Sequence, residues 1–237
     1  MVTRPLQLLG RTRTFGDFRS AVRWYSIKKG HGSTVETLRV RGLKFPVYVR
    51  PRTSDMNVFR DTFWSAYHVP DFEPRTILDL GSNIGLTILD YHRRFPNARI
   101  LGIELDSDNF NIARLNTQPY AECDVIHGAV WSEDGEVSYG GDEAWGFRVG
   151  EGRRKAKAYN IDFLIQKIGD VDFLKMDIEG AEESVLSHNT SWAARVKAMK
   201  IETHSPYTIE RCCADVTRLG FRAIRDSKHH GCVMATR

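Results

Sequence analysis

The sequence has few of the features that mark secreted, metal-stapled or membrane-spanning proteins. Only 4 of its 237 residues are cysteines, and their spacing fits neither a zinc site nor a disulfide framework. No apolar run approaches the roughly 20 residues that a bilayer requires, and no secretory signal is apparent at the N-terminus. These absences predict a cytoplasmic protein with reduced thiols and no transmembrane segment.

Acidic residues are scarce in the first quarter of the chain. Residues 1–60 carry 13 Lys and Arg against 3 Asp and Glu, whereas residues 61–237 carry 21 against 27. This asymmetry favours an acidic partner for the N-terminal part, which could be an anionic substrate, a lipid surface or nucleic acid. A basic face that is merely solvated is the alternative interpretation.

Residues 1–70 are predicted to form a small α+β cap on a catalytic domain of residues 71–237. The cap begins with an amphipathic helix over residues 17–29 and continues with two strands within residues 34–50. A second helix follows from about residue 55. The first helix is expected to bury its apolar side, which consists of Phe18, Val22 and Tyr25, with Ile27 as a further candidate.

Strand and helix patterns alternate from residue 71 onward, which predicts an α/β sheet. The predicted core strands are Thr76–Leu80, Arg99–Glu104, Cys123–His127, 171–177 and Val196–Glu202. A terminal hairpin over 221–225 and Cys232–Thr236 is expected to add one antiparallel edge strand. Residues 136–149 suit an inserted β-hairpin, while the basic segment 150–157 shows no usable pattern.

A glycine turn after the first core strand is the main functional signal. Gly81 and Gly85 lie in this turn, but it has neither the G-x-G-x-x-G of a dinucleotide site nor the G-K-[ST] of a phosphate loop. Asp79 would repel a phosphate but could accept a hydrogen bond from an ammonium group. Glu104, which ends the next strand, is placed to accept from two ribose hydroxyls. An adenosine that carries an amino acid satisfies both carboxylates, and S-adenosylmethionine is such a ligand.

Further polar groups follow the fourth and fifth predicted core strands. Asp177, Glu179, Glu202 and His204 should meet at one edge, because ligands bind outside the carboxyl ends of strands in open α/β sheets. His204 is the first candidate for a general base, with Asp177 or Glu179 orienting it or acting instead. A structural histidine is the alternative. The four residues could hold a divalent cation, although their spacing is not diagnostic of one and no metal is expected.

Two segments resemble the FkbM-type methyltransferase family. Lys175-Met176-Asp177-Ile178-Glu179-Gly180-Ala181-Glu182 resembles the hallmark stretch of that family, and Asp79-Leu80-Gly81-Ser82-Asn83-Ile84-Gly85 resembles its cofactor loop. The resemblance covers roughly residues 45–205. It implies a Rossmann-like class I sheet and S-adenosylmethionine-dependent O-methylation of a hydroxyl on a small molecule, natural product or sugar.

The resemblance and the strand-end pattern together predict the site residues. The predicted cofactor-binding residues are Asp79, Gly81, Ser82, Asn83, Gly85, Glu104, Leu105, Ala129 and Asp177. The predicted catalytic residues are His204, Asp177, Glu179 and Lys175. Leu105 departs from the proline that is common at this place in the family, which should not disturb a ribose contact made by Glu104.

Three other functions remain as alternatives. A carboxyl methyltransferase would act on a small acid that is already ionised and needs no base. A nucleic-acid methyltransferase would use the basic N-terminus on phosphate. However, Asp177-Ile178-Glu179-Gly180 replaces the (D/N/S)-P-P-(Y/F) stretch of base-methylating enzymes, so no nucleic-acid partner is expected. A noncatalytic cofactor-binding module would need only Asp79 and Glu104. The expected partner is a small-molecule or glycan acceptor, anionic if the basic N-terminus steers it, and the sequence makes no prediction of oligomeric state.

Overall fold

A computed structural model describes residues 14–30, 34–141, 148–150 and 152–237. The strands are β1 (Glu36–Leu38), β2 (Val47–Val49), β3 (Thr76–Leu80), β4 (Arg99–Glu104), β5 (Cys123–His127), β6 (Ala129–Val130), β7 (Gly135–Gly140), β8 (Arg148–Val149), β9 (Arg154–Tyr159), β10 (Val171–Met176), β11 (Val196–Glu202), β12 (Arg222–Arg225) and β13 (Cys232–Thr236). The α-helices are α1 (Phe18–Lys28), α2 (Asp55–Arg60), α3 (Leu86–Arg94), α4 (Ser107–Thr117), α5 (Ile161–Ile168), α6 (Glu182–Ser187) and α7 (Ile209–Arg218). A π-helical segment, Asp61–Ser65, continues α2, and a 3₁₀ segment, Thr190–Arg195, precedes β11.

Seven strands form the central sheet in the order β12-β13-β11-β10-β3-β4-β5. The five strands from β11 to β5 are parallel, whereas β13 is antiparallel to both of its neighbours. The predicted α/β class and terminal hairpin are confirmed. The antiparallel strand is not at the edge, however, because β13 inserts between β11 and β12. The strand order reverses between β3 and β10, and an open α/β sheet binds its ligand at such a switch point.

The sheet is buried on both faces, as expected for parallel strands that read as continuous apolar runs. On one face α3 and α4 pack with the N-terminal segment in a single core, where Trp24 and Phe59 share a cluster with Ile77 and Phe173. On the other face α5, α6 and α7 cover β10 and β11. The described part of residues 14–75 is therefore packed directly against the sheet that holds the candidate site.

Helix α1 buries a different face from the predicted one. Phe18, Val22 and Tyr25 are 80%, 53% and 40% exposed, and the buried residues are Ser20, Ala21, Trp24 and Ile27. Trp24 determines the orientation, because its ring lies 4.8 Å from that of Trp64 and 6.5 Å from that of Phe15. Burying the large indole outweighs burying the smaller Val22.

The predicted inserted hairpin is part of a larger sheet. Strand β7 pairs with β8 at Tyr139 and Gly140, but it pairs with β9 over five residues, and β9 also runs parallel to β6. Residues 142–147 of the predicted hairpin lie outside the described residues. Strand β9 alternates basic residues with Ala156 and Ala158, whose small side chains are the buried ones. An alanine face is a weak hydrophobic signal, which explains why the sequence pattern missed this strand.

Several helices begin at a residue whose side chain caps the helix. Asp106 and Asn160 cap α4 and α5 through side-chain oxygens. Thr208 caps α7 by accepting from the Arg211 N–H. Among the described residues, no helix is long and apolar enough to cross a membrane.

Candidate active site

The turn after β3 requires glycine at its first position. Gly81 has φ 79°, and a Cβ placed there would lie 1.8 Å from the carbonyl oxygen of Asp177. The Gly81 and Ser82 N–H groups both donate to the Ile103 carbonyl, at 3.1 and 3.0 Å. The turn is thus clamped between the ends of β4 and β10, and only a residue without a side chain fits against β10.

Glu104 is held by backbone donors at the end of β4. It is 7% exposed, and its carboxylate accepts from the N–H groups of Asn83 at 2.8 Å and Asp106 at 2.9 Å. Burial outweighs these donors and raises the pKa of Glu104 to about 7. The carboxylate lies on the wall of a cavity, here called the narrow cavity, together with Asn83, Leu105, Asn109 and Ala129.

Lys175 is a buried cation between two carboxylates. Its Nζ donates to the Gly81 carbonyl at 2.9 Å and lies 3.3 Å from Asp79 Oδ1 and 3.2 Å from Asp177 Oδ2. Burial alone would lower the pKa of Lys175, but the charges of Asp79 and Asp177 outweigh it and raise that pKa. Burial would likewise raise the pKa of Asp177, but the Lys175 ammonium lowers it. Lys175 therefore keeps its proton and ties the glycine turn to β10.

Three of the predicted cofactor-binding residues lie behind the turn. Asp79 is fully buried and faces Lys175, and neither of its oxygens has an aligned hydrogen-bond donor among the described residues. Burial raises the pKa of Asp79. Ser82 Oγ donates to the Asp79 carbonyl at 2.9 Å, and Gly85 packs against Ala113 of α4. These residues shape the turn, whereas Gly81, Asn83, Glu104, Leu105, Ala129 and Asp177 line the narrow cavity.

Glu182 organises the loop that follows β10, although it was not among the predicted site residues. It is fully buried and accepts from the N–H groups of Ile178 at 3.3 Å and Gly180 at 2.9 Å. Its Oε1 also lies 2.8 Å from His204 Nδ1. Glu182 belongs to the hallmark segment, but an acid in the first turn of a helix usually only stabilises the helix end, so no role in the site was predicted for it.

The structure brings His204, Asp177 and Glu179 together. His204 Nε2 lies 3.4 Å from Glu179 Oε2 and 3.7 Å from Asp177 Oδ1, and Glu179 adopts φ 51° in the loop. Burial would lower the pKa of His204, but the hydrogen bond and charge of Glu182 outweigh it and raise the pKa to about 9. In the free protein at neutral pH, His204 is therefore mainly an imidazolium, which donates rather than accepts a proton.

A second cavity of about 530 Å³, here called the wide cavity, opens beside the narrow one. Both cavities are lined by Gly81, Asn83, Asp177 and Glu179. The N-terminal segment supplies one wall of the wide cavity through Ser54, Asn57, Arg60, Asp61, Thr62, Tyr67 and His68. Lys175, Glu202, His204 and His229 also line it. The sequence missed His68 and His229, because single histidines in irregular loops carry no pattern.

The four residues considered for a metal ion divide into two groups. Asp177, Glu179 and His204 can place one ligand atom each within 4.8 Å of one another, and Glu202 does so with His68 and His229 instead. Burial lowers the pKa of His68 to about 3. Burial and the nearby charge of Asp177 raise the pKa of Glu202 to about 7.

Known proteins resemble this chain in sequence and in structure. The methyltransferase FkbM domain matches residues 79–226, which is more than half of the chain. A search of curated proteins finds no match. Among solved structures, precorrin-6y C5,15-methyltransferase from Geobacter metallireducens shares 11% identity over 78% of this chain and 90% of its own, with a TM-score of 0.46.

Two further solved structures resemble the fold at similar distance. A putative O-methyltransferase from Nostoc punctiforme shares 14% identity over 78% of this chain and 58% of its own, with a TM-score of 0.47. Human N-acetylserotonin methyltransferase, solved in complex with S-adenosylmethionine, shares 10% identity over 76% of this chain and 53% of its own, with a TM-score of 0.47. The match thus spans little more than half of these two chains.

Together with the match to the methyltransferase FkbM domain, the sheet order and the glycine turn at the switch point place the chain among the class I, S-adenosylmethionine-dependent methyltransferases. Within that class, the chain belongs to the FkbM methyltransferase family, as the match over residues 79–226 shows.

Proposed function

We propose that this protein is an O-methyltransferase that transfers the methyl group of S-adenosylmethionine to a hydroxyl of a small molecule, natural product or sugar. The observation that carries the proposal is the junction of the narrow and wide cavities at Gly81, Asn83, Asp177 and Glu179. Such a junction lets a donor in one cavity meet an acceptor in the other.

The narrow cavity suits the adenosine end of the donor. The Glu104 carboxylate is fixed by two backbone N–H groups and retains lone pairs that can accept from the ribose hydroxyls. Leu105, Ala129 and Val130 offer apolar surface to the adenine. Gly81 lines both cavities, which places the turn beside the methionine end of a donor bound at Glu104.

The bound donor supplies a methyl group on a sulfonium, which is already activated for transfer. The chain's main contribution is then to position an acceptor in line with that methyl group. The wide cavity lies within the range of about 300–1,000 Å³ typical of small-molecule sites. Hydroxyl and amide groups of Ser54, Asn57 and Thr62 on its wall support an acceptor rich in hydroxyls.

Glu179 is the group that we assign to accept the acceptor's proton. It lines both cavities, as does Asp177, but Asp177 is held by the buried cation Lys175 at 3.2 Å, whereas Glu179 faces His204, a group that can itself take up or release a proton. His204 lies 3.4 Å from Glu179 and is itself oriented by Glu182. His204 thus positions Glu179 in this assignment, whereas the sequence analysis favoured His204 itself as the base.

The test combines an acceptor screen with matched variants. Purified protein and labelled donor should methylate a hydroxyl compound in panels of sugars, polyketide alcohols and carboxylic acids. With that acceptor, Glu179→Gln should lower kcat by about 10²-fold, the usual scale of a lost base, and leave donor affinity unchanged. Glu183→Gln is the control, because Glu183 lies near the same loop but pairs with Arg211 at the surface.

Three outcomes would change the proposal. If His204→Gln loses the rate while Glu179→Gln keeps it, His204 is the base. If only carboxylic acids are methylated and both variants keep their rates, the protein is a carboxyl methyltransferase. If the donor binds but no acceptor in any panel is methylated, the binding-module alternative is favoured over catalysis.

A further inference from the structure

Three side chains from separate segments converge on the wide cavity, away from the Asp177–Glu179–His204 group. His68 follows the π-helical segment, Glu202 ends β11, and His229 lies in the loop before β13. Each offers one ligand atom, and the three atoms lie within 4.8 Å of one another. Two imidazoles and one carboxylate are a common ligand set for a divalent transition-metal ion.

The orientation of His229 is fixed by its surroundings. Its Nδ1 lies 2.9 Å from Cys232 Sγ, and the Tyr67 ring stacks on its ring at 5.0 Å with an angle of 13° between the planes. This leaves Nε2 facing Glu202, 3.8 Å from Oε1. That separation is too long for a hydrogen bond, but it fits two ligands that each bind one ion at about 2.1 Å.

His68 has a buried nitrogen that lacks a partner. Its Nδ1 makes no hydrogen bond with any of the described residues. Its backbone is anchored, since Tyr91 Oη donates to the His68 carbonyl at 3.0 Å. A buried polar atom without a partner is costly, typically by about 1–3 kcal/mol, so such an atom beside a ligand-lined cavity points to a missing ligand.

The neighbouring group of three differs in this respect. In that group His204 is bonded to Glu182, Asp177 is paired with Lys175, and Glu179 lies 3.4 Å from His204, so these side chains already have partners within the protein. Near His229 the cation Lys200 is paired with Asp226 and also donates to the Tyr67 carbonyl. The cations that act on the His68–Glu202–His229 group are Lys175, Lys200 and His204, and each of them is paired with a carboxylate elsewhere in the protein.

We propose that His68, Glu202 and His229 bind one divalent transition-metal ion, with Zn²⁺ as the ion of choice, on the acceptor wall of the wide cavity. The binding itself needs neither donor nor acceptor. Its role rests on the proposed function, in which the ion would polarise the acceptor's oxygen as a Lewis acid and ease the loss of its proton.

The experiment measures metal binding in the absence of the methyl donor, so that its result does not depend on methyltransferase activity. Untagged protein is treated with a chelator, titrated with Zn²⁺ by calorimetry and analysed for bound metal after desalting. Wild type should hold one equivalent of Zn²⁺ and gain thermal stability from it. His68→Gln, Glu202→Gln and His229→Gln should each weaken Zn²⁺ binding by more than about 100-fold, since residues that merely orient ligands contribute about 10–100-fold.

His230→Gln is the matched control, because His230 is exposed in the same loop and should leave Zn²⁺ binding unchanged. If one variant fails to fold, the other two carry the test. Loss of Zn²⁺ binding in His204→Gln with retention in His68→Gln and His229→Gln would overturn the assignment in favour of the other group. Absence of stoichiometric Zn²⁺ in wild type would overturn it outright, and neither result would bear on methyl transfer.

Discussion

The narrow cavity takes its main polar groups from turns that directly follow neighbouring strands, whereas the wide cavity takes its walls from segments far apart in the chain. Asn83 and Glu104 stand at the ends of β3 and β4, which are adjacent in the sheet. The wide cavity joins residues 54–68 to groups that follow β10 and β11 and to His229. In the proposed function, the donor side is therefore set by the sheet, and the acceptor side depends on how the N-terminal segment packs on it.

We expect the largest effect from the loss of Lys175, which lines the wide cavity and holds the glycine turn that both cavities share. Lys175→Met leaves Asp79 buried without a counter-charge and should lower the free energy of unfolding by about 3–5 kcal/mol. The loss should be smaller at low pH, because a protonated Asp79 no longer needs the cation. Urea denaturation of the variant between pH 5 and pH 8 measures both effects.

A double variant provides the control for this prediction. Lys175→Met combined with Asp79→Asn removes both charges and should recover a substantial part of the lost stability. A single variant as stable as wild type, or a double variant less stable than the single one, would contradict the role given to the ion pair.

The contrast between the cavities also explains how far the sequence could predict them. Strands such as Thr76–Leu80 and Arg99–Glu104 are continuous apolar runs, so their bounds and the carboxylates at their ends followed directly from the pattern. Asp177, Glu179, Glu202 and His204, which were predicted to meet at one edge, all line the wide cavity, although Glu202 groups with His68 and His229 rather than with the other three. The roles predicted for the site residues remain predictions.

The features of the site that could not be predicted from the sequence depend on packing between distant segments. His68 lies on the wide cavity only because the N-terminal segment folds over β10, and no local pattern encodes that contact. The buried face of α1 was predicted wrongly because the packing of Trp24 against Trp64 is a tertiary contact that the local sequence does not show. The pKa of His204 depends on Glu182, 22 residues away, and no local pattern links the two residues.

The donor side should respond to pH through Glu104. Its pKa is about 7 in the free protein, and the ionised form is the better acceptor for ribose hydroxyls. Between pH 8 and pH 6 the ionised fraction falls about tenfold, so the apparent Kd for S-adenosylmethionine should rise by up to about tenfold. Calorimetry across this range should give a flat profile for Glu104→Gln, and an equally steep profile for that variant would exclude Glu104 as the titrating group.

The raised pKa of Glu104 also makes the stability of the protein depend on pH. Between the ordinary value of 4.5 and about 7, folded Glu104 retains a proton that the unfolded chain has lost. Stability therefore falls as pH rises through this window. Glu104→Gln should flatten that decline in the free protein, as measured by urea denaturation.

The smallest expected effect concerns the basic N-terminal segment. Arg60 lines the wide cavity and is exposed beside Asp61, so Arg60→Gln should raise the KM of an anionic acceptor by about two- to fivefold. Added salt should do the same in wild type and leave donor affinity nearly unchanged. Arg41→Gln is the control, because Arg41 is exposed in the same basic segment. A KM that changes neither with salt nor in Arg60→Gln would show that these charges form only a solvated surface.

The central claim is that the donor and acceptor sides are separate and meet at Glu179. The most direct measurement compares the Kd for S-adenosylmethionine with kcat in Glu104→Ala and Glu179→Gln. Glu104→Ala should weaken donor binding by about tenfold or more, as expected for the loss of charge-assisted hydrogen bonds of about 1.5–3 kcal/mol. Glu179→Gln should bind the donor like wild type and lose about 10²-fold in kcat. Unchanged donor affinity in a folded Glu104→Ala protein, or a Glu179→Gln protein that turns over like wild type, would contradict the claim.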